Sequence, residues 1–519
     1  MKLKNILFTS LLVTGLSFSA DAQFVGDAFR FSQENNAGTA RFKGLGNAKT
    51  ALGGDISSIT GNPAGLGFFG QSDMSITVNY NNANNKGTYF GNRVSRNKDR
   101  FGIDHAGVVF HFPSSYGQAS GWQNFNIGFS YENTNIFHEN IRYEGNNPLN
   151  TIGNAYADMM TNDPGSDWSK AMYNTGIAEN IANDKNVFFP ILSEKGDKYQ
   201  VSDVLNHGYN SRSALAFGAN YNNKFYIGMN VGFTAFRYET SQQFSESGWT
   251  KNRAEIIAQN PNSNIADPNH DDYTLVEANY ELLDDFLQVS EGTGVDFKIG
   301  AIYKPTLDWN IGATIQSPTW MTIDDYTDSF IAIDYFDNEQ ATSPFLKKTV
   351  DNGRTDDQYR TISPWRFSLG LTKFFSRGLI TADAEYIDYS SIKVRTSGGY
   401  HNSSLEREWD AEVKNSYQGA FNFKIGGEIL MTNILSARAG FNYYGNPYKN
   451  ADNEQYSGSV GLGAKLSNTM YLDLAVVHLV NDYKTSPYRI DETHWKSPSP
   501  IADVKLQRTS AVLTLGAKF

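Results

Sequence analysis

The residues that could do chemistry are scattered through this sequence, and their spacing argues against each reaction they suggest. Gly65-Leu66-Gly67-Phe68-Phe69-Gly70 fits the GxGxxG pattern of dinucleotide-binding turns, but it follows no βαβ strand and opens no helix. Eight histidines are present, with His105 and His111 in one strand-like stretch and His478 in another. None forms a pair at metal-ligand spacing on one element. No Gly-x-Ser-x-Gly elbow presents a nucleophilic serine. With no cysteine, disulfides, thiolate metal sites and thiol nucleophiles are excluded. The expectation is therefore a chain that is not an enzyme, with no cofactor, no catalytic residues and no metal. A formal charge of -11 leaves no basic stripe for nucleic acid.

What must position such residues is legible from the N-terminus onward. Lys2 and Lys4 precede an apolar run from Ile6 to Phe18 and the small-x-small sequence Ala20-Asp21-Ala22, the pattern of a secretory signal peptide over 1–22. No later stretch is apolar for the roughly 18 residues that a spanning helix needs. Aromatic residues make up 14% of the chain while charged residues reach 19%, and mean hydropathy is -0.46. Alternating strands with polar loops produce that combination.

From Ser72 onward the sequence breaks into segments of period 2 and near the length of tilted membrane strands. Phe225, Ile227, Met229, Val231 and Phe233 share one face against Tyr226, Gly228, Asn230 and Gly232. Val295, Phe297, Ile299, Ala301 and Tyr303 share another. The pattern predicts an all-β fold, a fourteen-stranded antiparallel transmembrane β-barrel over 72–519. The connections alternate: long ones at 83–100, 136–210, 241–291, 321–360, 392–413, 445–454 and 482–506, short ones such as Asn222-Asn223, with 113–121 as a longer exception. That is the alternation of outer loops and periplasmic turns. Short helices are expected near 152–160 and 168–183. The chain ends on an alternating face from Thr509 to the terminal aromatic Phe519, an end that barrel-assembly machinery reads.

Residues 23–71 show neither strand alternation nor a useful amphipathic helix and are expected to form an N-terminal hatch that plugs the barrel. Their end holds Asn62-Pro63-Ala64, where proline fixes φ and the Asn side chain can bond nearby backbone. The apolar tip Phe68-Phe69 follows. Together with GAIYKPTLDWNIGATIQSP (300–318) and PWRFSLGLTKFFSRGLITADAEYIDYS (364–390), this motif resembles the FadL-like long-chain fatty-acid transporters of outer membranes, which include aromatic-hydrocarbon channels.

The resemblance implies a hatch gated at Asn62, Pro63 and Ala64, and passive uptake of a hydrophobic small molecule, a fatty acid or hydrocarbon. It also implies sideways exit through the third strand, here 122–135, where Gly128 is the local weak point. Phe68 and Phe69 are candidate substrate contacts. The expected setting is the outer membrane of a Gram-negative bacterium, with the chain a monomer whose other partners are outer-membrane lipid and, during biogenesis, the assembly machinery. The competing reading is a structural or partner-binding barrel, such as a protein-secretion shuttle or haem-binding surface protein, working through its outer loops.

Overall fold

The computed structural model describes residues 20–34, 38–114, 120–397, 401–451 and 453–519; the expected signal peptide lies almost wholly outside them. The first strands are β1 (Asp73–Tyr89), β2 (Asn92–Pro113), β3 (Trp122–Ile136) and β4 (Glu139–Asn147). A small ribbon, β5 (Ala178–Ile181) and β6 (Asp184–Pro190), precedes β7 (Lys198–Tyr221), β8 (Phe225–Trp249) and β9 (Asn279–Thr306). Then come β10 (Trp309–Gln316), β11 (Trp320–Phe336), β12 (Leu346–Ile362), β13 (Arg366–Phe375), β14 (Gly378–Asp388) and β15 (Lys393–Thr396). The last are β16 (Gly419–Leu430), β17 (Leu435–Tyr444), β18 (Gln455–Lys465), β19 (Met470–Thr485) and β20 (Ala502–Lys518).

These strands make a closed antiparallel barrel of 14 wall positions. β1, β2, β3, β7, β8 and β9 pair in succession. β10 with β11 forms the next position, and β13 with β12 the one after. β14 and β16 to β19 lead to β20, which returns to β1 from Asp73↔Lys518 to Tyr89↔Ala502. Closure pairs the wall strands on both sides across the apolar belt, so lipid meets no continuous sheet edge there, while the upper ends of β2 and β3 part above His105↔Glu132.

Alternation sorts the side chains as the sequence predicts. Phe225, Ile227, Met229 and Phe233 are exposed on the outside of β8, whereas Tyr226 and Asn230 are buried inside. Phe297, Ile299 and Tyr303 continue the outer belt on β9. Higher on the same strands Arg237 faces Glu291 across the pair and forms an ion pair with it, which marks the end of the apolar belt.

Several expected loops are instead strand. β8 continues to Trp249 and β9 begins at Asn279, so β-structure runs far beyond the belt. The supposed loop 83–100 is a paired extension of β1 and β2, closed by Phe90 and Gly91 at φ 44° and 83°. Outside the lipid both faces of a strand are polar, so alternation disappears while the hydrogen-bond ladder persists.

Over these extensions the outer connections fold into a cap. It contains α3 and its neighbours, numbered after two N-terminal helices, α1 (Ala20–Phe31) and α2 (Ala40–Gly44). α3 (Ile152–Asn162) and α4 (Asp167–Tyr173) lie where helices were expected, but the second ends early and the chain continues into the β5–β6 ribbon. Ile152, Tyr156, Met160, Phe189, Leu192 and Ile256 share one buried apolar cluster with Tyr335 of β11.

The cap is fixed to the barrel by Glu246 on β8. Its carboxylate accepts from Ile152 N at 3.1 Å, from Tyr280 Oη at 2.7 Å, and from Thr151 Oγ1 and Gln200 Nε2. Glu246→Ala strands four buried donors, each costing about 1–3 kcal/mol when left unpaired. Amide exchange over 152–192 is expected to accelerate by at least about tenfold, with barrel strands still protected. Unchanged exchange there would remove Glu246 as the anchor.

Candidate functional site

The segment before β1 lies against the inward face of the wall. α1 is a helix the sequence reading missed: Phe24, Val25, Ala28, Phe29 and Phe31 are all buried. The apolar side chains fall on one side and Asp27 and Arg30 on the other, but the helix is only 12 residues long and begins within the expected signal peptide. Phe29 stacks on Tyr417 at 4.5 Å, and Phe31 on Phe236 at 4.1 Å. Asp27 is buried, accepting from Arg30 and, at 2.6 Å, from Gln288. Burial pushes its carboxyl above the ordinary range, against the opposing pull of Arg30 and Gln288.

Beyond α1 the segment has little regular structure, so its backbone groups need partners from elsewhere. Lumen side chains supply them. Asp383 accepts from Lys49 N at 2.7 Å and Thr50 N at 2.8 Å. Asn126 donates to Leu66 O at 2.6 Å, Asn230 to Ile59 O at 2.6 Å, and Asn310 to Ala51 O at 3.0 Å. On α2, Arg41 pairs with Glu428 at 3.2 Å and Lys43 with Asp104.

Glycines in the wall make this contact possible. Gly218, Gly228 and Gly300 are cross-strand partners on β7, β8 and β9. A Cβ on Gly218 would lie 2.6 Å from Pro63 O; one on Gly228 would strike the Pro63 carbonyl, and one on Gly300 the Asn62 side chain. Gly312 and Gly370, paired on β10 and β13, underlie Thr50 and Ala51 in the same way. Gly426 and Gly440, paired on β16 and β17, underlie Leu45 and Gly46. The segment thus runs around the wall over three glycine patches.

The predicted gating residues lie on the first patch. Asn62 caps the 3-10 turn Pro63–Phe68, its side chain accepting from Ala64 N at 3.1 Å. Its amide donates to Thr50 O at 2.6 Å and Ala301 O at 3.3 Å. Pro63 occupies the first turn, where its missing N–H costs nothing. Phe68 stacks on Tyr226 at 3.9 Å. Phe69 packs with Ile56, Ile59, Leu66 and Val109. Gly128 is paired on both sides, with Val109 and Ala216, and a Cβ there would meet Ile59 at 2.7 Å.

Neither Phe68 nor Phe69 lines the cavity that lies between α1 and β3, β18, β19 and β20. It measures about 140 Å³ and is lined by Phe29, Phe137, Tyr238, Tyr448, Tyr483, Leu479 and Leu506 among its apolar groups. Asn135, Asn206 and Asn481 contribute amides, and Arg30 lies 4.3 Å from the centre of the Tyr238 ring. Gln33, Glu139, Asn453, Gln455 and Arg508 add to a lining that is about half polar; for scale only, an engineered cavity of about 150 Å³ that is wholly apolar holds benzene. Sequence reasoning had no means to find it, because its lining runs from Gly26 to Arg508 without a local motif.

No protein-family model and no curated protein matches the sequence. Solved structures do. The P. putida toluene transporter TodX superposes with a TM-score of 0.50 at 12% identity, covering 94% of this chain and 99% of that one. A Pseudomonas aeruginosa FadL homologue gives 0.50 at 14%, covering 94% and 98%. A deltaS2 mutant of the TodX monoaromatic hydrocarbon channel gives 0.52 at 13%, covering 93% and 99%. Over 93–94% of its length, the fold of this chain is that of the TodX and FadL-type barrels.

Proposed function

We infer that the protein is an outer-membrane channel for passive uptake of hydrophobic small molecules, with residues 23–71 as its hatch. The observation that carries this reading is the cavity of about 140 Å³ against α1, whose lining combines aromatic and aliphatic side chains with a comparable polar share. A ligand the size of one aromatic ring fits it; a long acyl chain requires α1 to move. Each methylene buried contributes about 0.8 kcal/mol, so an apolar ligand partitions into such a site from water and onward into lipid without an energy source. The cap buries its own apolar core and so favours a lid over an open partner-binding platform.

Sideways release belongs to the same reading. β3 shifts register between Asn133 and Asn135, and β2 pairs with it no higher than His105↔Glu132. That unpaired upper edge supports an exit on the strand that carries Gly128, above the glycine itself. The test is uptake of labelled toluene and oleate by cells lacking other routes, with and without the protein. Faster toluene uptake supports the reading, and equal rates for both ligands sink it.

Asn62→Ala removes the cap and both amide bonds, and cap loss alone costs about 1 kcal/mol. Toluene uptake is expected to change several-fold while heat-modifiable mobility of the barrel persists. Lost mobility would make the motif a folding element.

A further inference from the structure

The cavity beside α1 carries polar groups that the fold itself does not serve. Asn453 Oδ1 and Asn481 Oδ1 are buried and accept no hydrogen bond, and both residues line the cavity. Gln455 of β18 stands opposite Asn481 of β19 in the ladder, and Leu506 of β20 stands on its other side. All three line the same space, so a row of two amides and one apolar side chain crosses the wall there. Leu479 and Tyr483, two residues to either side of Asn481 on the same face of β19, line it as well.

Buried amide oxygens are normally hydrogen-bonded, and one left without a donor carries a free-energy cost that a bound molecule can relieve. The charged groups of the cavity, by contrast, already have partners. Arg30 pairs with Asp27 and lies over the Tyr238 ring, and Arg508 pairs with Glu139 at 2.9 Å. With each guanidinium matched to a carboxylate, nothing in the lining repays the desolvation of a charged ligand. What the cavity lacks is a neutral donor.

We propose that the cavity takes a neutral aromatic ring bearing a hydroxyl, a phenol, in preference to a bare hydrocarbon. The hydroxyl donates to Asn481 Oδ1 and its oxygen accepts from the Gln455 amide, while the ring packs among Phe29, Tyr448 and Leu479. A volume of about 140 Å³ admits one such ring. A hydrocarbon of the same size fills the space and leaves both amide oxygens unmet, and a site that hydrogen-bonds a hydroxyl discriminates against the analogue lacking it. The inference rests on this cavity being the ligand site of the proposed channel, and it narrows the class of ligand.

The test is equilibrium dialysis of the full chain in detergent micelles against p-cresol, toluene and p-methylanisole, with protein-free micelles as the blank. p-Methylanisole keeps the ring and the oxygen but has no O–H to donate. p-Cresol is expected to bind at least about tenfold more tightly than either. Asn481→Leu, which keeps the volume and removes the acceptor, is expected to erase most of that preference. Toluene or p-methylanisole binding as tightly as p-cresol, an unaltered preference in Asn481→Leu, or no binding above the blank overturns the inference. Should Asn481→Leu fail to assemble, the three-ligand comparison on the parent chain and Asn453→Leu decide. Cellular uptake separates this inference from the channel reading. A preference for p-cresol in dialysis without protein-dependent entry of either ligand removes the channel and leaves the ligand class; equal binding with protein-dependent entry of toluene does the reverse.

Discussion

Gly228→Leu is expected to unseat the N-terminal segment while leaving the barrel assembled. Its side chain would occupy the space of the Pro63 carbonyl and Ala64 N, both backbone, which cannot rotate away. Overpacking of this kind typically costs about 1–3 kcal/mol, and each 1.4 kcal/mol is about tenfold in population. The wall has no comparable reason to fail, because the neighbouring outward residues Ile227 and Met229 already face lipid and the pairing with Gly218 and Gly300 is backbone to backbone. Trypsin should cut at Arg41, Lys43 and Lys49 at least about tenfold faster than in the parent, and bilayer conductance should rise as the lumen opens. Gly458→Leu is the control: a Cβ there meets open space, and neither readout should move. If both variants behave alike, the glycine patches are not what seats the segment.

Filling the cavity should have the opposite consequence. Leu479→Trp places an indole in the space between α1 and β19, where about 140 Å³ is available. Toluene uptake is expected to fall by at least about tenfold, since displacing a ring-sized ligand forfeits apolar burial worth about 1.5–3 kcal/mol. Seating of the N-terminal segment should be unaffected, because α2 and the Asn62 turn lie on other parts of the wall. Uptake at the parental rate, with the variant folded, would mean that the cavity is off the route.

The contrast between what was and was not legible in the sequence has physical causes. Asn222-Asn223 is readable as a turn because both residues must adopt φ near +55° (56° and 55°), a conformation that Asn tolerates. Phe225 to Phe233 is readable because lipid on one side and a polar lumen on the other impose period 2. The extensions above the belt are not, since water on the outside permits Lys347, Asp351, Arg354 and Asp356 in β12 without alternation. α1 escapes detection because it is only 12 residues long and runs across the expected cleavage site after Ala22.

The glycine patches were partly visible. Gly228 and Gly300 appear on the inward faces of two clear strands, where they read as small lumen residues. Their partners in the N-terminal segment are some 150 or more residues distant, and only the fold brings them together. Asn62, Pro63 and Ala64, singled out by the resemblance, lie against the glycines of β8 and β9, whereas Phe68 and Phe69 lie outside the cavity lining.

A hydrophobic ligand is expected to occupy the chamber beside α1, and a crystal soaked with 4-bromotoluene tests that directly. An anomalous bromine peak is expected between Phe29, Tyr448 and Leu479, absent in Leu479→Trp. A peak confined to the outer belt, with the chamber empty at saturating ligand, would contradict it.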